Sequence, residues 1–451
     1  MISRPQLPRR PSPSQLLILA AVFQLILTAS VYTIGRLGLL QSIDRNGCIT
    51  ALTPDSPPYL SEAASLSDVL TQMGPLAWLR TPANLHIKLY SVSLALLSRL
   101  LGANILSVLP VNLVCYISIL WLTFKLGAEV FERRTTLAAT VAVALWPSFL
   151  LLTTQVLKDL IFITALLALV LIMTWWLTRT LSLLPGLATG IAGGAAAYAV
   201  SLTRSGFWLV VILAIVLTAA CLLFIRQIQE RKFLRWNVIS AGLIVSATGA
   251  IFLLSPERLG AVVLEVPGVD SPGIALENNP QSLSLGGRAD FAAQRLSLMR
   301  KDFLKLNKNS GSDIDADVEF VRTLDVVRYL PRAAEIGFLA PFPNQWFKTG
   351  KITGRGRLLS GLEMSVFYIV EILALIGLWR SRSNLRAWLL CLVCLIGVMT
   401  LTLAVINLGA LYRLRYGFFI LLVILGANGL MTSIEYWQHR KMPVEQKIVT
   451  G

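Results

Sequence analysis

Histidine is almost missing from this chain: His86 and His439 are the only two in 451 residues. Five cysteines (Cys48, Cys115, Cys221, Cys391 and Cys394) are scattered, four of them inside apolar runs. Cys391 and Cys394 form a CxxC, but no histidine or further cysteine stands near it. This pattern excludes a disulfide framework and a His/Cys metal centre, and reads the cysteines as small residues facing lipid or core. With histidine so scarce, acid–base chemistry falls to Asp and Glu. Charged residues are only 14% of the chain. No internal repeat and no stretch with the signature of a soluble domain is present, so a transporter built from paired repeats has no support.

What the chain does have is apolar length. Hydrophobic residues make up 55% of it, arranged in runs near 20 residues long. Such a run crosses the hydrocarbon layer as a helix, so the chain reads as an all-α polytopic membrane protein. About ten spans are expected, at 16–34, 105–125, 136–154, 160–177, 186–203, 206–225, 237–254, 360–379, 386–406 and 416–433. The first run is too long for a cleavable signal and no small-residue cleavage site follows, so it reads as an uncleaved span. The formal net charge of +16 does not point to nucleic acid, because Lys and Arg sit in short clusters between apolar runs. Alternating sides from a cytoplasmic RPQLPRRP places KLGAEVFERRTT, RQIQERKFLRW and RSRSNLR inside, while QVLKD, TRSG and NLGALYRLRYG fall outside. That obeys the positive-inside rule with both termini cytoplasmic.

NLHIKLYSVSLALLSRLLG (84–102) carries Lys88 and Arg99 on a moderately apolar helix. It reads as an amphipathic helix lying on the outer surface, because counting it as a span would turn FERR outward. Three regions follow: an N-terminal transmembrane module, 1–254, with a first external loop at 35–104; an external region, 255–359; and C-terminal spans with a cytoplasmic tail, 360–451. In the external region NKNSGSDIDAD reads as mobile, and YLPRAAEIGFLAPFPNQWF as a segment that packs back on the membrane face.

This topology gathers a few ionisable residues on the outer side: Asp55, Lys158, Asp159, Arg204, Arg413 and Arg415. Ionisable groups at a membrane boundary are costly unless they face water, a partner or a ligand. Arg and Lys suit a phosphate. A carboxylate suits deprotonation of an attacking hydroxyl or stabilisation of an oxocarbenium-like sugar carbon. A lipid-linked phosphosugar needs both. Tyr59 and Glu62 lie four and seven residues after Asp55, on its helix face, and with His86 they read as lining for the substrate. Each residue also has a plain structural reading. Asp55 or Ser56 is a helix N-cap before Pro57 and Pro58; Asp159 caps the fourth span or pairs with Lys158; the arginines are snorkelling anchors; Glu62 is solvated; His86 is a polar residue of the surface helix. The glycines at 190–194 read as close span packing.

Four stretches resemble the GT-C superfamily of membrane glycosyltransferases, of the protein O-mannosyltransferase, lipid A aminoarabinose transferase and bacterial polysaccharide-cluster types. They are PDSPPYLSEA, the stretch from LHIKLY to TTQVLKDL, YLPRAAEIGFLAPFPNQW and LYRLRYGFFILLVILGANGL. The resemblance implies a sugar moved from a polyprenyl-phosphate donor to a hydroxyl of a glycan, lipid or protein, on the outer face of a bacterial inner membrane. It implies Asp55 as the catalytic acid of the first loop, Asp159 with Lys158 at the second acidic position, and Arg413 and Arg415 on the lipid phosphate; with Asp159 also read as catalytic, Lys158 and Arg204 are the further cations expected for the donor phosphate. Many members have two adjacent acids in the first motif, whereas Ser56 follows Asp55 here. No cofactor is therefore assigned, and a divalent cation (Mg or Mn) stays open. Membrane lipid is an expected partner and nucleic acid is not. The alternatives are an O-antigen-like polymerase or ligase using Arg288, Arg295, Arg322, Arg328 and Arg332, and a transporter or flippase of lipid-linked glycan.

Overall fold

The computed structural model describes residues 12–203, 207–254, 285–306, 312–347 and 354–441. Among these residues the fold is all α. Two isolated β-bridges, Ile43 with Ile49 and Asp313 with Asn407, are its only extended pairings. Eight of the described helices are long and apolar enough to cross a membrane, and a bent pair brings the number to nine if it counts as one span. The chain is a multi-pass membrane protein. It forms two compact units, Met1–Leu160 and Ile161–Gly451. The boundary falls inside the N-terminal module read from the sequence.

The first unit begins with α1 (Pro13–Arg36), started by a capping box in which Ser12 and Gln15 bond each other's backbone. After a turn-rich stretch come α2 (Ser56–Met73), α3 (Pro75–Arg80) and α4 (Leu85–Leu101), then the long apolar α5 (Ile105–Val130). The helix at 84–102 is present as expected, and its Leu96 and Leu100 remain exposed. Its other face is buried: Ile87, Tyr90 and Leu94 pack with Leu60, Ala63 and Leu66 of α2 and with Ile105 and Val108 of α5. The third expected span, 136–154, is not one straight helix. It forms α6 (Arg133–Ala144) and α7 (Pro147–Thr153), bent by 64°. Pro147 has no N–H to continue the ladder and clashes with the preceding turn, and the Tyr116 hydroxyl takes the Ala144 carbonyl at 2.9 Å.

The second unit holds the spans α8 (Asp159–Thr178, whose first two residues close the first unit), α9 (Leu183–Thr203), α10 (Phe207–Glu230) and α11 (Arg235–Leu254). The helices α12 (Leu285–Leu306) and α13 (Thr323–Leu339) follow, then α14 (Gly354–Arg380), α15 (Leu385–Ala404), the short α16 (Leu408–Leu414) and α17 (Tyr416–Lys441). The seventh expected span is the helix α11, in which Asn237, Ser240 and Thr248 are buried. The glycines of α9 do serve close packing: a Cβ on Gly193 would lie 2.1 Å from Ile244 of α11. α14 and α17 approach still more closely, because a Cβ on Gly429 would lie 1.9 Å from the Leu373 carbonyl oxygen. Asn428 fastens the same crossing with a 3.2 Å bond to the Gly377 carbonyl. Small residues bring membrane helices this near.

Gly429→Ala therefore forces α14 and α17 apart. The expected loss is about 1–3 kcal/mol, the usual range for overpacking, read as a lower midpoint in denaturant unfolding of the detergent-solubilised protein.

Candidate functional site

The acidic site is built in the first unit around a stretch of backbone with no regular structure. Between α7 and α8 the chain runs through Thr154, Gln155, Val156 and Leu157, all buried. Buried backbone groups without partners are costly, and here side chains from four elements supply them. Gln24 of α1 donates to the Thr153 carbonyl at 3.0 Å. Asn112 of α5 donates to the Gln155 carbonyl at 2.9 Å. Tyr90 of α4 donates to the Leu157 carbonyl at 2.9 Å and lies 2.8 Å from Asn112 Oδ1. Ser56 Oγ, at the start of α2, accepts from the Val156 amide at 3.1 Å. Gln155 itself reaches back, accepting from the Ile49 amide at 2.8 Å and donating to the Gly47 carbonyl at 3.2 Å.

This clamp brings the two predicted acids to one part of the molecule. Asp55 adjoins Ser56, and Asp159 follows Val156 by three residues. Standard chain geometry then keeps their Cα atoms within about 20 Å even if the linking chain is extended. Asp55 occupies the cap position of α2 but makes no side-chain cap hydrogen bond, and it is half-buried. Its carboxylate is thus not spent on starting the helix. Asp159 is buried at the first position of α8, where the helix N-terminus favours negative charge. Lys158 beside it is half-buried.

The lining residues separate. Tyr59 lies one turn after Asp55, and its ring meets that of His86 edge-on at a centroid distance of 4.7 Å. His86 is not the surface residue of the plain reading; it is buried, one turn before Tyr90 on α4. Glu62 is exposed, as the solvated reading expects. Burial holds the Tyr90 phenol well above its usual range, and the nearby Asp159 charge acts in the same direction. Tyr90 therefore stays neutral and keeps its proton for the Leu157 carbonyl. Gln24, Ser56, Tyr90, Asn112 and Gln155 carry this arrangement, and sequence reasoning did not single them out as site residues. The available signal was an amide inside an apolar run, at Gln24 and Asn112, since such a group needs a partner there.

The arginines belong to the second unit. Arg204 lies outside the described residues. Arg413 is half-buried in the last turn of α16. Arg415 is fully buried. Its guanidinium donates to the Gly337 carbonyl at 2.8 Å, lies 3.0 Å from Met364 Sδ and sits over the ring of Phe419. Those contacts make it a packing element of this unit. Beside it the Tyr412 hydroxyl is hydrogen-bonded to the buried Glu363 of α14.

Of NKNSGSDIDAD, expected to be mobile, NKNSG lies outside the described residues, whereas Ser312 and Ile314 bond the main chain at 406–408, with Ile314 N to Ile406 O at 3.0 Å. Asp315 accepts two bonds from Arg332, at 2.9 and 3.1 Å, and one from Tyr329 at 3.0 Å. Arg332, helped by Tyr329, holds the Asp315 carboxyl below the ordinary carboxylate range. A depressed pKa adds stability above the unfolded value near 3.9 and loses it only as pH falls through the folded one, so this pairing is intact at neutral pH. α13 packs on α15, with Gly337 against Val398 and Thr402. Among the described residues no group of three or more His, Cys, Asp or Glu is arranged to hold a metal ion.

No family model matches the chain, and no curated protein matches it. Solved structures do. One is the archaeal oligosaccharyltransferase AglB from Archaeoglobus fulgidus in complex with an inhibitory peptide and a dolichol-phosphate; it is 13% identical with a TM-score of 0.46, covering 94% of this chain and 51% of that one. A second is the Archaeoglobus fulgidus oligosaccharyltransferase in the apo form, 12% identical with a TM-score of 0.48, covering 93% and 51%. A third is ArnT from Cupriavidus metallidurans bound to undecaprenyl phosphate, 13% identical with a TM-score of 0.37, covering 95% and 80%. The chain spans about half the length of the two oligosaccharyltransferases.

Two outcomes follow for stability. Tyr90→Phe leaves the Leu157 carbonyl and Asn112 without their buried partner, a loss of about 1–3 kcal/mol in a denaturant titration. Arg415→Met lowers the amount of folded protein in the membrane by immunoblot, whereas Arg413→Gln leaves it unchanged.

Proposed function

We propose that the chain is a glycosyltransferase of the GT-C type. It moves a sugar from a polyprenyl-phosphate carrier to a hydroxyl of a glycan, lipid or protein on the outer face of a bacterial inner membrane. One observation carries this reading: the 3.1 Å bond between Ser56 Oγ and the Val156 amide, inside the buried clamp. It holds the segment bearing Asp55 against the segment bearing Asp159. Two carboxylates far apart in sequence are thereby kept in one unit by a network whose buried polar groups are expensive to assemble.

In this reading the acceptor hydroxyl oxygen attacks the anomeric carbon of the donor. Asp55 takes the hydroxyl proton. The bond from that carbon to the phosphate oxygen breaks, the polyprenyl phosphate leaves with the electron pair, and the configuration inverts. Asp159 orients the acceptor or the sugar. Lys158 offsets charge on the departing phosphate, and Arg413 is the second unit's cation for a lipid phosphate, with Arg204 the further one expected from sequence. Arg415 serves by holding its own surroundings, because its guanidinium is enclosed by protein. Tyr59 and the buried His86 shape the surface beside Asp55. Of the arginines named for the polymerase or ligase alternative, Arg332 is already bonded to Asp315 and Glu335, and the side chain of Arg288 lies outside the described residues.

Asp55→Asn and Asp159→Asn are each expected to lower transfer by about 100-fold or more, the scale of a lost general base. The measurement is loss of one sugar from a surface glycan at equal protein abundance. Transfer at the normal rate in both variants sinks the assignment. Reporters placed in 35–104 and 255–359 are expected on the outer side, and a cytoplasmic signal from either overturns the orientation.

A further inference from the structure

We propose that Asp315 is a positioning residue for Arg413, acting through the turn at 406–408 and the short helix α16. The inference rests on the reading of Arg413 as a ligand of a lipid phosphate.

α16 has seven residues, too few to form or hold a direction by itself. Its direction is set at its two ends. At the start, Asn407 Oδ1 caps the Ala410 amide at 3.0 Å, while Asn407 Nδ2 donates to Ser312 Oγ at 3.0 Å and Asp313 Oδ1 at 3.2 Å. The main chain repeats the tie, with Leu408 N to Ser312 O at 3.0 Å. At the other end, Arg415 donates to the Gly337 carbonyl of α13 at 2.8 Å. Both anchors therefore belong to the external region, one on the 312–315 segment and one on α13.

Asp315 joins those two anchors to each other. Its carboxylate takes Arg332 and Tyr329 of α13. Its carbonyl takes the buried Arg300 of α12 at 2.6 Å, and Arg300 also reaches the Leu403 carbonyl at 3.3 Å, just before the turn. The backbone of Asp315 is left-handed, with φ of 48°, which a non-glycine residue keeps only where its surroundings over-determine it. The contacts close a ring: Asp315 to α13, α13 to Arg415, Arg415 along α16 to Asn407, and Asn407 back to 312–315. Arg413 stands inside that ring.

A purely stabilising latch is the simpler reading. Against it, the Asp315 and Arg332 side chains are 19% and 39% exposed, and ion pairs in such settings add little stability. Three side chains, Arg332, Tyr329 and Arg300, nevertheless converge on one residue, and what they fix is a direction.

The test uses the full chain in lipid nanodiscs. Asp315→Asn keeps a residue that tolerates the left-handed backbone and removes the charge. Hydrogen exchange is expected to speed up about fivefold in the Leu408–Leu414 amides and not in α9 or α11. Undecaprenyl phosphate binding is expected to weaken about fivefold, the scale of one modest ion pair, with the melting temperature unchanged. In an Arg413→Gln background Asp315→Asn is expected to add no further loss. Unchanged exchange in 408–414 overturns the proposal, and so does an equal loss of binding in the Arg413→Gln background. A wild type that does not bind undecaprenyl phosphate strikes the phosphate reading of Arg413 alone, and exchange still decides the positioning. Should Asp315→Asn fail to accumulate, Tyr329→Phe removes a single bond from the same carboxylate and carries the same measurements.

Discussion

The first unit depends on how the backbone between Thr153 and Leu157 is satisfied. Pro147 breaks the third apolar run, and the chain then leaves helical geometry in a place closed to water. Each unpaired amide or carbonyl there is expensive. Four side chains from distant parts of the chain answer that demand, Gln24, Ser56, Tyr90 and Asn112, while Gln155 reaches out of the stretch to Gly47 and Ile49. Because the irregular stretch requires all of them, α1, α2, α4 and α5 are held in one register. Asp55 and Asp159 take their places as a consequence.

The second unit solves a different problem. Its helices are apolar almost all round, so oil-like burial gives little preference for one neighbour over another, and close backbone approach decides. Glycines of α9 meet α11, and Gly429 meets α14. Into that packing the fold inserts a fully buried guanidinium, Arg415, stacked on Phe419 and bonded to the Gly337 carbonyl. A buried charge held by a neutral carbonyl and aromatic faces is costly to assemble. Its presence ties the start of the last span to α13. Arg413 and Arg415 are two residues apart, and only Arg415 is fully buried.

Much of the architecture was legible. Each expected span corresponds to helix, the surface helix at 84–102 appears as Leu85–Leu101, and the glycines at 190–194 serve packing. The miss at 136–154 had a visible cause, since Trp146–Pro147 already carries the break. The site was less legible. Asp55 and Asp159 stood out as charges at the ends of apolar runs, whereas the neutral residues that hold them did not. Tyr90 reads as one more residue of an amphipathic helix until the Leu157 carbonyl is seen beside it. DIDAD reads as a polar linker because its partners, Tyr329 and Arg332, lie more than a dozen residues away.

Local chemistry by itself determined where this chain is helical, how often it runs apolar for the depth of a bilayer, and which few charges lie at the ends of those runs. Periodicity, proline and hydropathy act over a few residues, so they can be read in one dimension. Only the tertiary structure decided which carboxylate makes no cap bond to its own helix, which arginine was sealed in protein, and which acids share a unit. Those outcomes turn on hydrogen bonds between residues as many as 129 positions apart. A buried polar group accepts whichever partner the fold delivers, and the order of residues along the chain does not name it.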